Sequence, residues 1–369
     1  MVNIVLAGGG TAGHTSPLIA TADAIRARTA EANLVAIGTA KGLETRVVPA
    51  AGLPLELIPP VPMPRKPSPD LVKVPVRLFG AVKAAKRVLT EARADVLVGF
   101  GGYVSMPAYL AARQLKIPVV VHEQNSVPGL ANKVATRFAA EAYVTFPETP
   151  LTGAEFLGLP LRDSIAKLDR AAEHDAACRK FELNPGKPVL LVSGGSQGAR
   201  SINTGVTEAF PKLLAEGIQV LHVLGQKNFT SETVEVTDAE TGAVYRPVAY
   251  VDAMEEAYAA ADLMLGRSGA GTVVETAVVG LPSILVPLPH GNGEQARNAE
   301  SLVQAGGARL LPDAACTATW LTAEIPRLIH DSDKLAEMGR AGRELMPANA
   351  AEVLAERVLT LAGGAGQPR

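Results

Sequence analysis

The chain has 369 residues, of which 47% are hydrophobic, 4% aromatic and 20% charged, with a formal net charge of -2. That length suits two ordinary domains, and the balanced charge argues against a general nucleic-acid binder, which carries a basic excess, so no nucleic-acid partner is expected. The only cysteines, Cys178 and Cys316, fit neither a metal spacing nor a disulfide framework, and a reducing cytoplasm suits them.

Residues 1–10 form a short apolar strand running into glycines. They lack the basic start and small-residue cleavage site of a signal peptide. No uncharged apolar stretch approaches the roughly 18 residues that span a bilayer, so any membrane contact is expected to be peripheral.

In chain order, residues 2–7 read as a buried strand, 8–13 as a glycine turn and 17–27 as a helix. Further apolar strands are expected at 34–37, 96–98, 119–121 and 142–145, with helical patterns between them. The second half repeats the design: strand 189–192, glycine turn 193–198, helix 199–214, then strands at 220–224, 247–251, 263–265 and 283–286. Continuous apolar strands alternating with helices predict an α/β fold with parallel sheets. The expected division is 1–161 and 162–346, with a helix over 348–362 packing back on the first domain and a frayed tail from 363. The Pro-rich run 59–69 reads as a loop.

Gly8, Gly10 and Gly13 satisfy G-x-G-x-x-G between a strand and a helix. That setting binds phosphate through helix N-terminal amides, or admits a substrate close to the backbone. A dinucleotide site also needs an acid at the end of the second strand. Here that strand ends at Gly38-Thr39 and Glu44 comes later, which counts against an oxidoreductase. The second turn, Gly194-Gly195-Ser196-Gln197-Gly198, offers free amides and the Ser196 hydroxyl to a diphosphate. Either turn by itself can equally be a tight βα connection without a ligand.

Several segments together resemble the MurG family of glycosyltransferases, in order and over nearly the whole chain. They are Gly9-Gly10-Thr11-Ala12-Gly13-His14, Gly101-Gly102-Tyr103-Val104-Ser105, His122-Glu123-Gln124-Asn125, Gly194-Gly195-Ser196-Gln197-Gly198-Ala199 and Arg267-Ser268-Gly269-Ala270, followed by Gln295 and Asn298. Ala12 and Leu159 depart from the glycine and asparagine that many members carry there, and the loop ahead of Gln295 differs in composition. The resemblance implies the GT-B architecture, two Rossmann-like domains facing across a cleft. It implies inverting transfer of N-acetylglucosamine from its UDP donor to the muramyl 4-hydroxyl of lipid I, forming lipid II with a β-1,4 linkage at the cytoplasmic face of the membrane. No cofactor is implied. The rival readings are another GT-B enzyme, such as a diacylglycerol glycosyltransferase or a UDP-N-acetylglucosamine 2-epimerase, and a nucleotide-binding module without catalysis.

The resemblance also assigns residues. The donor set is Thr11, Ala12, Gly13, Asn125, Arg162, Ser196, Val251, Ala270, Gly271, Thr272, Val273, Val274, Glu275 and Gln295. Val251 would read uracil through its backbone, Glu275 would accept from the ribose hydroxyls, and Gln295 and Asn298 would reach the sugar. The acceptor set is Gly10, Gly102, Tyr103 and His122. An inverting displacement needs a base for the acceptor hydroxyl and stabilisation of the departing diphosphate. His14, at the start of a helix, is one candidate base and alternatively a capping residue. Glu123 could orient His14, act as the base, or be a buried structural acid. Asp331-Ser332-Asp333 spells a metal element but opens a helical pattern, where capping is expected, so no metal site is assigned.

Between Leu71 and Leu89 the chain mixes apolar residues with Lys73, Arg77, Lys83, Lys86 and Arg87 and contains no acid. Leu78, Phe79 and Val82 fall at helical spacing, so this stretch is expected either to rest on anionic lipid through an apolar face or simply to pack into the core.

Overall fold

The structure, a computed structural model, describes residues 2–61, 74–195 and 198–365. The chain divides into two compact units, Met1–Arg162 with Asn349–Arg369, and Asp163–Ala348.

The first unit runs β1 Asn3–Ala7, α1 Ala12–Arg28, β2 Asn33–Gly38, α2 Glu44–Ala50, β3 Leu55–Leu57, α3 Val74–Glu91, β4 Val96–Gly99, α4 Ser105–Leu115, β5 Val119–Glu123, α5 Leu130–Ala135, β6 Glu141–Val144 and β7 Glu155–Phe156. Its strands form one sheet in the order β3-β2-β1-β4-β5-β6-β7, and each described pair is parallel. Residues of β4 and β5 are buried throughout, because helices cover both faces and leave no solvent side for polar residues.

The second unit runs α6 Asp163–Ala166, α7 Arg170–Lys180, β8 Val189–Ser193, α8 Arg200–Ala215, β9 Gln219–Val223, β10 Val236–Thr237, β11 Val244–Val248, α9 Met254–Ala260, β12 Leu263–Gly266, α10 Ala270–Val279, β13 Ser283–Leu285, α11 Glu294–Gln304 and β14 Ala308–Leu310. A 3-10 turn at Asp313–Ala315 leads to α12 Ala318–Ile329 and α13 Ser332–Leu345. The sheet order is β10-β11-β9-β8-β12-β13-β14, parallel except for the β10–β11 pair. The last helix, α14 Ala350–Ala365, returns to the first unit. There Leu354, Ala355, Val358 and Ala362 join Leu18, Ala22 and Ile25 of α1 in one buried cluster.

Two Rossmann-like α/β units thus agree with the expected fold class. Several boundaries differ. Helix α1 begins at Ala12, ahead of the predicted 17, with Pro17 inside it. Pro17 deprives only the Gly13 carbonyl of its helical donor, and Gly13 is exposed to water. Strand β11 covers Val244–Val248 and leaves Val251 in the loop beyond it. Pro247 is tolerated there because β10 pairs only with Val244 and Tyr245, so nothing on that side needs its missing donor. Helix α14 continues to Ala365, past the start of the expected frayed tail.

Candidate functional site

In each sheet the strand order reverses beside its first strand, between β1 and β4 and between β8 and β12. Open α/β sheets bind ligands outside the carboxyl ends of strands at such a switch point. The two glycine turns and the segments that follow β4 and β12 fall on these two places, while the 122–125 segment ends β5 and Gln295 and Asn298 lie on α11.

In the first unit the loops after β1 and β4 are fastened side by side. The Phe100 amide donates to the Ala7 carbonyl at 2.8 Å. The buried Ser105 hydroxyl lies 3.1 Å from the Ala7 carbonyl and 2.6 Å from that of Gly101. Gly102 has φ +84°, and a Cβ there would stand 2.5 Å from the Gly9 carbonyl oxygen. Conformation and closeness both demand glycine at this position.

His14 sits in the first turn of α1, half-buried, against the loop after β4. A Cβ on Gly101 would lie 3.4 Å from the ring's Cδ2 and Nε2. The Nδ1 atom is 3.0 Å from the Thr11 hydroxyl. Burial pushes the imidazole below the ordinary histidine range, while the Glu44 carboxylate and the Gly9 backbone pull in the opposite direction. The net direction is down, so the ring is neutral at neutral pH and can accept a proton.

Glu44 gains from the fold a place that its position in the sequence does not show. Its place after β2 is too late for the ribose acid of a dinucleotide site, the one role the sequence offers it. It opens α2 with no exposed surface. One carboxylate oxygen accepts from the Thr39 amide and hydroxyl, each at 2.9 Å, and the other accepts from the Gly10 amide at 2.8 Å. The signal in the sequence is an acid shortly preceded by Gly38 and Gly42: a Cβ on Gly9, Gly38 or Gly42 would collide with the Glu44 side chain.

Glu123 is 3% exposed and has a holding role. Its carboxylate accepts from the amides of Asn125 at 3.0 Å and Gly129 at 2.9 Å, and from the Asn132 side chain at 2.9 Å. Asn132 in turn accepts from the Tyr109 hydroxyl at 2.8 Å. These bonds shape the loop that carries Asn125 into α5. The acidic partner acting on His14 is Glu44. His122 does not present its side chain to an acceptor. Its ring is fully buried, Nε2 donates to the Gly158 carbonyl at 2.8 Å, and Nδ1 is 3.0 Å from the Gln124 side-chain nitrogen. Burial lowers its pKa to about 4, against the smaller opposing pull of the Gly158 carbonyl. Tyr103 is half exposed, and Thr11, Ala12 and Gly13 are exposed on the turn.

The second unit builds its turn differently. Gly195 and Gly198 have φ +79° and +71°, and the Ser193 hydroxyl accepts from the Gly195 amide at 3.3 Å. Ser196 lies outside the described residues. After β12, the Arg267 guanidinium donates to the Val286 and Pro287 carbonyls at 3.2 and 3.1 Å, to Ser201 at 3.1 Å, and to the Asp313 carboxylate. Asp313 loses stability as an anion through burial, but its bonds to Ser201 and Arg267 outweigh this and hold its pKa below the usual range. This anchor fixes the path of the loop from Pro287, and Gln295 pins the same loop by accepting from the Leu288 amide at 2.9 Å.

Helix α10 starts after Gly269 with no side-chain cap. Its first-turn amides, at Ala270, Gly271 and Thr272, have no carbonyl one turn back within the helix. Val273 and Val274 differ from expectation: both side chains are fully buried, and the Val273 amide is taken by the Gly269 carbonyl at 3.0 Å. Their role is packing, so they offer a ligand no side chain. Glu275, one turn on, is half-buried and accepts from the Tyr258 hydroxyl at 2.6 Å. The Val251 side chain is buried. Asn298, expected to reach the sugar, is wholly buried on the inner face of α11 and cannot. Arg162 is exposed at the end of the first unit's main segment. Asp331 caps α13, accepting from the Lys334 amide at 3.0 Å.

On α3, the expected stripe of Leu78, Phe79 and Val82 is divided by the packing. Val82 is buried and Leu78 half-buried against the core. The apolar residues that face outward are Val76 and Phe79, 77% and 75% exposed. Arg77, Lys83 and Arg87 are exposed and Lys86 is half-buried on the same helix, while Lys73 lies outside the described residues. Arg87 lies 3.7 Å from Glu91. Among the described residues no helix is long and apolar enough to cross a membrane.

Residues 4–144 match the glycosyltransferase family 28 N-terminal domain and residues 189–357 its C-terminal domain. The chain is 60% identical, over 98% of both chains, to the UDP-N-acetylglucosamine--N-acetylmuramyl-(pentapeptide) pyrophosphoryl-undecaprenol N-acetylglucosamine transferase of Cutibacterium acnes. It is 53% identical to the protein of the same name from Nocardioides sp., over 98% of this chain and 99% of that one. Among solved structures it resembles Acinetobacter baumannii MurG with a TM-score of 0.77 at 26% identity, covering 98% of this chain and all of the other. The chain belongs to glycosyltransferase family 28 and is a glycosyltransferase.

Proposed function

We propose that this chain transfers N-acetylglucosamine from UDP-N-acetylglucosamine to the muramyl 4-hydroxyl of lipid I, with inversion, to give the β-1,4 linkage of lipid II. The observation that carries the chemistry is His14: a half-buried, neutral imidazole at a sheet switch point, with one nitrogen on Thr11 and the ring over Gly101. When the Thr11 hydroxyl accepts from Nδ1–H, Nε2 keeps its lone pair for the acceptor hydroxyl. The substrates are those in the names of the relatives.

The first unit holds the acceptor, with glycines at 10 and 102 giving it close access to the backbone and Tyr103 offering an exposed ring. Glu123 serves by holding the Asn125 loop. The second unit holds the nucleotide. The uncapped amides of Ala270, Gly271 and Thr272 face the charge that develops on the departing diphosphate, where a helix N-terminus is most effective. Glu275, steadied by Tyr258, accepts from the ribose hydroxyls, and the Val251 backbone reads uracil. Gln295 orders the loop beside the donor sugar. The exposed Val76, Phe79, Arg77, Lys83 and Arg87 suit peripheral attachment to an anionic bilayer, at its cytoplasmic face.

The test is incubation of the protein with radiolabelled UDP-N-acetylglucosamine and a lipid I analogue. The expected product is a labelled β-1,4 disaccharide with one UDP released per transfer. Release of UDP without disaccharide, or label on a diacylglycerol acceptor in preference, would overturn the assignment.

A further inference from the structure

We propose that Glu44 is a positioning residue for the transfer: its buried carboxylate ties the end of β2 to the glycine turn, fixes Thr11, and through Thr11 sets the aim of His14. The inference rests on His14 as the base.

The geometry links two contacts through one peptide bond. Glu44 grips the Gly10 amide at 2.8 Å. Gly10, at φ +92°, is the residue before Thr11. Thr11 meets His14 Nδ1 at 3.0 Å. At its other end the carboxylate is anchored on the Thr39 amide and hydroxyl, both at 2.9 Å. Three glycines make room for it, Gly9 after β1, Gly38 at the end of β2 and Gly42 before α2, and a Cβ on Gly9 would lie 2.5 Å from its Oε1. A carboxylate with no exposed surface is costly to bury unless its bonds are satisfied, and here each oxygen has an N–H donor. The turn would need far less to close sterically. A neutral residue would fill the space without imposing a negative charge beside an imidazole that burial already discharges.

The charged and titratable groups facing His14 come from several elements. Helix α2 supplies Glu44. Tyr109 of α4 and Glu123 of β5 both engage Asn132, which also approaches the Gly101 position. The loop after β4 supplies the exposed Tyr103, and α1 has no charged residue before Asp23. Of these, Glu44 acts on the ring, raising its proton affinity against the effect of burial.

The test follows the His14 ring by NMR titration, and kcat against pH, in the whole protein and in Glu44→Gln, Glu44→Asp and His14→Gln. Loss of the charge in Glu44→Gln should lower the His14 midpoint by about half a unit or more. Plateau kcat should fall about tenfold through misplacement of the ring, with UDP affinity within about twofold. Glu44→Asp, which keeps the charge but reaches less far, should hold the midpoint and still lose plateau kcat. If Glu44→Gln does not fold by circular dichroism, Glu44→Asp alone decides, and a normal plateau there overturns the proposal. A folded Glu44→Gln with unchanged midpoint and plateau overturns it, as does parallel loss of UDP binding. A His14→Gln enzyme with normal kcat refutes the base itself, whereas an inactive His14→Gln beside a normal Glu44→Gln refutes only Glu44.

Discussion

His14→Gln is the sharpest perturbation of the proposed chemistry. Glutamine is close in size and polarity and can keep a hydrogen bond to Thr11, so the turn should survive. What disappears is the ionisable nitrogen. Losing a general base typically costs ~10²–10⁴ in rate, which is about 2.7–5.4 kcal/mol of barrier at 1.36 kcal/mol per decade. Donor affinity should be little changed. Burial lowers the His14 pKa and Glu44 only partly restores it, so the acid limb of kcat should fall below the free value of 6.5. A group titrating at or below that value is at least about 97% unprotonated at pH 8, which makes pH 8 the plateau. The assay is kcat from pH 5 to 9 with UDP-N-acetylglucosamine and a soluble lipid I analogue. The limb should be present in the wild type and absent in the residual activity of the variant. Near-normal kcat in His14→Gln, or a wild-type limb in the ordinary carboxylate range of ~4–5 that survives the substitution, would refute the reasoning and return Glu123 to the role.

Glu275→Ala should weaken UDP binding about 10- to 150-fold by calorimetry, the worth of charge-assisted hydrogen bonds of roughly 1.5–3 kcal/mol; unchanged affinity removes Glu275 from the ribose. Reversing Arg77, Lys83 and Arg87 to glutamate should reduce co-sedimentation with anionic liposomes, at about 1 kcal/mol per basic residue near the surface, while sparing turnover of a soluble acceptor; equal loss of both would make the stretch structural. His122 and His222, each buried with a pKa lowered to about 4 by desolvation, predict acid instability. Both values lie below that of the unfolded chain, so stability is full above about 6.5 and falls as pH drops toward 4, by about 1.4 kcal/mol per pH unit for each histidine. Denaturant unfolding followed between pH 7 and 4 should show that decline, and a flat profile would mean that water reaches the two rings.

Much of the fold was legible because buried parallel strands leave a plain mark. Residues 119–121 and 263–265 are unbroken apolar runs, and each lies within an observed strand. The edge strands were not legible, since β7 and β10 are two residues long and partly exposed, too short for any period to register. The site was legible where backbone conformation dictates residue type, as at Gly102. It was illegible where function depends on a contact distant in sequence. Glu44 reaches the Gly10 amide across 34 residues, and only the folded β2–α2 connection brings it there. The reverse error also has a physical cause. Val273, Val274, Asn298 and His122 belong to motifs that suggest ligand contact, but the helical and strand periods turn their side chains into the interior.

The two units use one topology for two kinds of charge, and the difference lies in what fills each switch point. In the first, a buried carboxylate takes the Gly10 amide and places negative charge at the turn. An imidazole beside it is helped to receive a proton. In the second, Asp313 is paired with Arg267, and α10 begins uncapped behind Gly269. Its partial positive charge is therefore available to an anion. Glu275 is set one turn into the same helix, where the Tyr258 hydroxyl holds it. Exchanging the two charge arrangements would cost each unit its chemistry while leaving both sheets intact.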